Sequence, residues 1–224
     1  MPSRISYKTV ARLSIYRRIL AGLQQRGVTT MHSHELASAA GVTPAQVRRD
    51  LMAVSGMGSP SKGYDVVQLA ESIEAFFGHQ ECVNVALIGL GNIGKAILAY
   101  FHGRRPNLAV AAAFDVDPNR VDCVIHGCRC YPMSTLGEKI RELNISVGII
   151  AVPVAAAQEV ARTLVDHGIL GIMNFAPIPL RVPQNVYLEQ VDMTTSLETV
   201  AFFARQNAQA GREPTWLRRT LTTF

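Results

Sequence analysis

Apolar positions along the chain fall into two regimes. From Ser6 to Phe77 they recur at helical spacing, beginning with Val10, Leu13, Ile19, Leu20 and Leu23 on a basic segment that runs from Ser6 to Gln25 and stops before Gly27. From Val83 onward they gather into short unbroken runs separated by helical stretches, the pattern of buried parallel strands joined by crossover helices. The first regime predicts a small helical bundle. The second predicts a doubly wound parallel sheet, so the fold class is α/β with an appended helical domain.

Within the first regime the punctuation is clear. Val28 to Met31 is a short strand candidate, and Ser33 is placed to cap a second helix that carries Glu35 in its first turn and ends at Ala40 before Gly41. Thr43 then caps a third helix, with Pro44 at its first position and Gln46 completing a capping box. Helix, short glycine-containing turn, helix is the helix-turn-helix arrangement. At 100° per residue Val47, Leu51 and Val54 share the inner side of the third helix. Ala45, Gln46, Arg49 and Met52 are left outward, with Arg48 flanking. A small residue near the helix N-terminus allows close approach to a major groove, where Gln46 and Arg49 can bond base edges and Arg48 a phosphate. The turn-rich stretch from Gly56 to Tyr64 reads as a winged-helix hairpin with Lys62 near its tip, or as a plain linker. Val66 to Phe77 is a fourth helix.

The second regime opens on Val83 to Ile88, a buried strand that ends in Gly89-Leu90-Gly91-Asn92-Ile93-Gly94. Three glycines at this spacing serve the tight turn, the approach of a pyrophosphate and the close packing of the following helix, Lys95 to Phe101. The phosphates would meet free N–H groups at a helix N-terminus. A second run, Leu108 to Phe114, delivers Asp115 twenty-one positions after Gly94, the offset at which a carboxylate accepts hydrogen bonds from a ribose 2′-hydroxyl. That carboxylate repels a 2′-phosphate, which favours NAD(H) over NADP(H). Further strands are predicted at Cys130-Tyr131, Ser146 to Val152, Gly171 to Asn174 and Val186 to Gln190. Helices are predicted from a cap at Ser134, over Ala155 to His167, and from Ser196 to about Gln209 with a Thr195/Glu198 capping box. Ligands in such sheets sit beyond the strand C-termini, which sets Val152, Pro153, Asn174, Phe175 and Ala176 beside the nicotinamide half of a dinucleotide. The final helix follows a finished domain and bears Leu197, Val200, Ala201 and Ala204 on one stripe, a surface suited to a dimer partner.

Composition narrows the reading. With 224 residues, 48% of them hydrophobic, the chain can bury a core in a medium domain and a small one. No apolar run approaches the roughly 18 residues of a membrane span and no signal-peptide core is present, which places the protein in the cytoplasm. Net charge is +5, but residues 1 to 64 carry nine Lys/Arg against two acidic residues while the remainder carries 13 against 15. The first part is thus +7 and the rest −2, as expected of a polyanion-binding module on a neutral domain. Cys123, Cys128 and Cys130 crowd into eight positions with His126, but paired knuckles are absent, so no metal is expected and these residues read as small apolar ones.

Taken together, Arg12-Leu13-Ser14-Ile15-Tyr16, the run from Val42 to Leu51, Lys62-Gly63-Tyr64-Asp65-Val66, the three-glycine turn, Ala112 to Pro118, Val152 to Gln158 and Asn174 to Pro177 resemble the Rex family of redox-sensing transcriptional repressors. The likeness runs from about Arg4 to about Phe203. It implies a winged helix-turn-helix domain over 1–79, a Rossmann-type NAD(H)-binding domain over 80–192 and a dimerisation helix with a basic tail over 193–224, exchanged between the subunits of a homodimer. It further implies repression at double-stranded operator DNA while NAD+ prevails, release when NADH binds, and no enzymatic activity. By motif match, Arg12 and Asp192 would be the ion pair that couples the two domains, with Tyr100 nearby. The chain departs from the family at Met52 to Gly58, where Ser-Tyr-Phe-Gly is common, and at Met193, where an aromatic residue is frequent. The departures bear on operator sequence and on the strength of redox coupling. Two other readings stay open from the residues alone: an NAD-dependent oxidoreductase with an incidental basic N-terminus, and a CoA- or nucleotide-binding regulator on the same fold.

Overall fold

The computed structural model describes residues 5–54, 63–78, 82–104 and 107–209. The chain divides into two compact units, Met1–Glu81 and Cys82–Phe224.

In the first unit, α1 (Tyr7–Gln25) is capped by Ser6, whose hydroxyl accepts from the Thr9 N–H. It packs with α2 (Ser33–Ala40), α3 (Pro44–Met52) and α4 (Val66–Phe76) around Leu13, Tyr16, Leu20, Leu36, Val47, Leu51, Leu69 and Ile73. Helix spacing makes most of this core readable; Tyr16 joins it as a fully buried aromatic because its hydroxyl finds a buried partner. Two short strands, β1 (Thr30–Met31) and β2 (Tyr64–Asp65), pair antiparallel. The rest of the expected hairpin, with Lys62, lies outside the described residues.

Capping differs from expectation at two helices here. His32, not Ser33, is the N-cap of α2, its N–H donating to the Glu35 carboxylate at 2.5 Å, while the Ser33 hydroxyl accepts from Arg48 at 3.1 Å. At α3 the Thr43 hydroxyl does accept from the Gln46 N–H, but the Gln46 amide turns away from the reciprocal bond to a buried carboxylate, Asp50. Donating its nitrogen to a charged acceptor turns the amide inward, away from the Thr43 N–H that its oxygen would otherwise accept from.

The second unit is a seven-stranded sheet in the order β5-β6-β4-β3-β7-β8-β9. Its strands are β3 (Val83–Ile88), β4 (Leu108–Asp115), β5 (Val124–Ile125), β6 (Cys128–Pro132), β7 (Ile145–Ile150), β8 (Gly171–Asn174) and β9 (Tyr187–Gln190). All neighbours are parallel except β5, an edge strand turned back on β6 that the apolar pattern does not predict. The helices are α5 (Asn92–Phe101), α6 (Leu136–Glu142), α7 (Val154–Asp166) and α8 (Met193–Gln209). One cluster on Leu87, Leu90, Leu98, Ala113 and Ile149 and another on Ile88, Phe114, Ile150, Ala161 and Leu164 fill the two faces of the sheet.

Two predicted caps in this unit give way to stronger arrangements. Ser134 is absorbed in a 3-10 turn, Met133–Thr135, so α6 begins at Leu136. The Thr195/Glu198 box is replaced by Asp192, whose carboxylate accepts from the N–H groups of Thr194 and Thr195 at 2.9 and 3.0 Å, starting α8 at Met193.

Candidate functional site

The strand order reverses between β3 and β7. Chain connectivity leaves β3 toward β4 on one side and returns to β7 on the other, and a crevice opens beyond their C-terminal ends. Gly89 sits in it at φ +99°, and a Cβ there would lie 2.5 Å from the Ala151 carbonyl oxygen. A Cβ on Gly94 would lie only 1.9 Å from the Gly89 carbonyl oxygen, so only glycine lets α5 come this close to the turn. Gly91, by contrast, faces open space. It is the N-cap of α5 and makes no side-chain cap bond, which leaves the first-turn N–H groups to an anion.

These residues line a cavity of about 610 Å³, a size that suits a nucleotide. Its wall includes Gly89, Gly91, Asn92, Ile93, Asp115, Val152 and Pro153 of the predicted set. Leu90 is buried behind the turn, its N–H donating to Asp115 Oδ2 at 2.6 Å, and Gly94 is buried within the first turn of α5. The other Asp115 oxygen accepts from the Asp117 N–H at 2.9 Å. Each carboxylate oxygen keeps a second lone pair, which a ribose hydroxyl can use. An empty volume beside Gly91, free N–H groups at a helix N-terminus and a carboxylate at the far end fit a dinucleotide's phosphates and ribose.

Asn174, Phe175 and Ala176 do not line this cavity. The Asn174 side chain is fully buried and anchors its own turn, donating to the carbonyls of Ala176 and Ile178 and to Gln190 Oε1 while accepting from the Ala176 N–H. Sequence reasoning overlooked Asp117, Arg120, Met133, Ala156 and Val160, all in the wall. Arg120 stands on a 3-10 turn, Pro118–Arg120, 3.1 Å from Asp117 and 3.7 Å from Asp115. Its signal was the Asp117-Pro118 pair, which starts a turn and brings the residue three places on back toward the acid. The Asn119 N–H, helped by the Asn119 amide, holds the Asp117 carboxyl below the usual carboxylate range.

In the first unit α3 presents Ala45, Arg48, Arg49 and Met52 to solvent, with Gln46 half-buried. Asp50, on the opposite side and 1% exposed, collects four hydrogen bonds. Arg12 donates through Nε at 2.6 Å and Nη2 at 2.7 Å, Tyr16 Oη at 3.0 Å and Gln46 Nε2 at 2.9 Å. Burial alone would raise the Asp50 carboxyl, but the bonds from Arg12, Gln46 and Tyr16 outweigh it and hold it below its ordinary value. Burial and the same carboxylate raise the Tyr16 phenol. Arg12 is thus tied inside its own unit. Tyr100 is half-exposed with the Arg104 guanidinium 4.1 Å above its ring, and Asp192 caps α8. Among the described residues no His/Cys/Asp/Glu group could hold a metal, and no helix is long and apolar enough to cross a membrane.

A basic helix-turn-helix unit and a Rossmann-type nucleotide unit on one chain define a class, the ligand-responsive DNA-binding regulators. Two family models match, "Putative DNA-binding protein N-terminus" over residues 4–51 and "CoA binding domain" over residues 80–178. The redox-sensing transcriptional repressor Rex of Carboxydothermus hydrogenoformans is 39% identical over 204 residues, covering 91% of this chain and 98% of that one. Rex of Lactobacillus gasseri is 38% identical over 200 residues, covering 89% and 94%. Among solved structures, the Rex-family repressor RSP in complex with β-NAD+ and operator DNA superposes with a TM-score of 0.83 at 31% identity, covering 99% of this chain and all of that one. RSP in complex with β-NADH gives 0.80 at 32%, covering 93% and 97%. The chain belongs to the Rex family of redox-sensing transcriptional repressors. The relatives matched over nearly the full length are transcriptional repressors.

Proposed function

We propose that this protein works as a homodimer which holds NAD+ or NADH in the cavity beside Gly91, represses from operator DNA through α3 while NAD+ prevails, and leaves the DNA when NADH binds. The observation that carries the reading is the joint presence of the Gly89–Gly94 cradle with Asp115 at its end and, on the same chain, a Thr43-capped helix exposing Arg48 and Arg49. Solved relatives with NADH, and with NAD+ and operator DNA, support it. The two oxidation states differ in nicotinamide charge and ring planarity, and they act only in so far as they favour different arrangements of the protein.

Ala45, Gln46 and Arg49 read base edges in this proposal, while Thr43, Arg48 and Lys62 serve the backbone of the duplex. The dimer is supported by α8, which buries none of its residues within the chain and leaves Met193, Leu197, Val200, Phe202 and Phe203 exposed. Such a repressor acts in the cytoplasm, where the DNA is. For the coupling pair, Arg12 is already committed to Asp50. Arg18, also on α1, is exposed and has no ion-pair partner among the described residues, so it is the helix-one arginine available to Asp192. The test is selection of operator fragments from a random duplex library in the presence of NAD+, followed by anisotropy titrations. Tighter binding with NAD+ than with NADH is expected; equal affinities would overturn the sensing function.

A further inference from the structure

The clustered cysteines sit on the β5–β6 hairpin, whose second strand pairs with the strand carrying Asp115. The hairpin closes through His126 and Gly127, both at positive φ (47° and 76°), the two-residue turn that suits the twist of paired strands. Past the pairs Ile125–Cys128 and Val124–Arg129 the ladder is interrupted. The Cys130 N–H donates to the Cys123 carbonyl and the Asp122 N–H to the Cys130 carbonyl, both at 2.9 Å, while Asp122 takes a left-handed φ of 55°. Two residues thus oppose one in a β-bulge, and Cys123 lies directly across from Cys130. Their thiols are near enough to interact directly, as the partners of a disulfide must be.

The two thiols differ in access. Cys123 is exposed, whereas Cys130 is fully buried, and burial together with the neighbouring Cys123 thiol pushes Cys130 up to about 12. Cys128 pairs with Ile125 instead, and burial pushes its thiol up to about 11. The Cys123 thiol also donates to the Arg120 carbonyl at 3.6 Å, and Arg120 is the cavity residue that faces Asp115 and Asp117. The bulge and the nucleotide cavity therefore share a turn.

We propose that Cys123 and Cys130 form a hydroperoxide-sensitive dithiol that adjusts the nucleotide cavity through Arg120. The exposed Cys123 sulfur, as thiolate, attacks one oxygen of hydrogen peroxide, the O–O bond breaks, and sulfenic acid forms while the departing hydroxide leaves as water with the thiol's proton. The Cys130 sulfur then attacks the Cys123 sulfur, the S–O bond breaks, and a second water leaves with the Cys130 proton. Two thiols are oxidised to one disulfide and one hydrogen peroxide is reduced to two waters. Loss of the S–H donor to Arg120 and tightening of residues 121–123 onto β6 reposition the Pro118–Arg120 turn, which weakens binding at the ribose end.

Peptide mapping tests the link without reference to nucleotide binding. Trypsin cleaves after Arg120, Arg129 and Lys139, so Cys123 falls in the peptide Val121–Arg129 and Cys130 in the peptide Cys130–Lys139. After hydrogen peroxide treatment of the intact protein and alkylation of remaining thiols, these two peptides should appear joined, separate on reduction, and stay apart in Cys123→Ser. The joined species should persist in Cys128→Ala. A bridge confined to Val121–Arg129, bridges through Cys82 alone, or only higher oxides of sulfur would overturn the proposal.

The effect on the cavity rests on the NAD(H) reading and is measured separately. NADH titrations should give a several-fold higher Kd for the oxidised wild type and no change on peroxide treatment of Cys123→Ser. An unchanged Kd in the disulfide form would overturn the link to the cavity. Absence of NADH binding in the reduced protein would fail the nucleotide reading instead, and the peptide result would still decide the dithiol.

Discussion

Arg12 grips Asp50 with two parallel hydrogen bonds, Nε to Oδ2 at 2.6 Å and Nη2 to Oδ1 at 2.7 Å, across 38 residues of chain. The pair fastens α1 to α3. Because Asp50 also receives the Gln46 amide, whose carbonyl oxygen accepts weakly from Arg49 at 3.5 Å, the grip extends to two further side chains of α3. An ionised carboxylate only accepts, so the Gln46 nitrogen must turn inward and its oxygen outward.

Removing one partner strands the other. Arg12→Ala should destabilise the N-terminal unit by about 3 kcal/mol, since the cost is that of an uncompensated buried charge. The pH dependence has a fixed sign. Asp50 titrates lower folded than unfolded, so its contribution is complete above the unfolded carboxyl value, about 4, and fades as pH falls through the lower folded value. Urea melts between about pH 6 and about pH 2.5, the window of carboxyl titration, should show this loss in the wild type and a shallower slope in Asp50→Asn.

Gly94 and Gly91 should respond differently to an added side chain. Gly94→Ala collides with the Gly89 carbonyl and should lower stability as well as NADH affinity. Gly91→Val, which points into open space, should leave the thermal midpoint nearly unchanged and reduce NADH affinity more than about tenfold, a loss of roughly 1.4 kcal/mol in binding. Equal loss of stability in both variants would contradict the assigned roles.

The exposed arginines of α3 should separate by salt dependence. Arg48→Ala should weaken binding to all duplexes and lower the slope of log K against log salt by about 0.9, the share of one phosphate contact. Arg49→Ala should relax base preference, costing about 1–3 kcal/mol on the operator. NADH affinity should stay intact in both.

Exposed Leu197 and Phe203 carry the dimer argument. Leu197→Glu with Phe203→Glu should shift light-scattering mass from dimer to monomer and weaken operator binding, because paired half-sites require paired reading helices. A dimer unaffected by both charges would remove α8 from the interface.

Arg18 and Arg12 can be told apart by coupling. Arg18→Ala should leave the melting curve within about 0.5 kcal/mol of wild type, as for an exposed side chain, yet reduce the ratio of operator affinities with NAD+ and NADH. Arg12→Ala should change stability first. An unaltered ratio in Arg18→Ala would return the coupling role to another cation.

Much of the site was legible because its chemistry is local. Glycine spacing after a buried strand and an acid at a set offset describe a turn and a lone-pair donor within one strand-helix-strand unit, and Gly89, Gly91 and Asp115 stand together as expected. At Asn174 the chain shows a polar residue at a strand end, and only the folded turn shows its amide bonded to Ala176, Ile178 and Gln190. Arg120 escaped because the Asp117-Pro118 pair announces a turn, while the acids that its guanidinium meets are set by how that turn packs.

Alternation of apolar runs, helix punctuation and the charge excess of the first 64 residues are properties of neighbours in the chain, and they determined by themselves that a basic helix-turn-helix precedes a nucleotide-binding sheet. Competition among partners is not local. Which acceptor wins the Gln46 amide, which carboxylate holds Arg12, which residue caps α8 and which cysteine faces Cys123 depend on groups brought together from distant positions. Hydrogen bonds and ion pairs go to the best-placed partner in space, and only the tertiary structure decides where that partner stands.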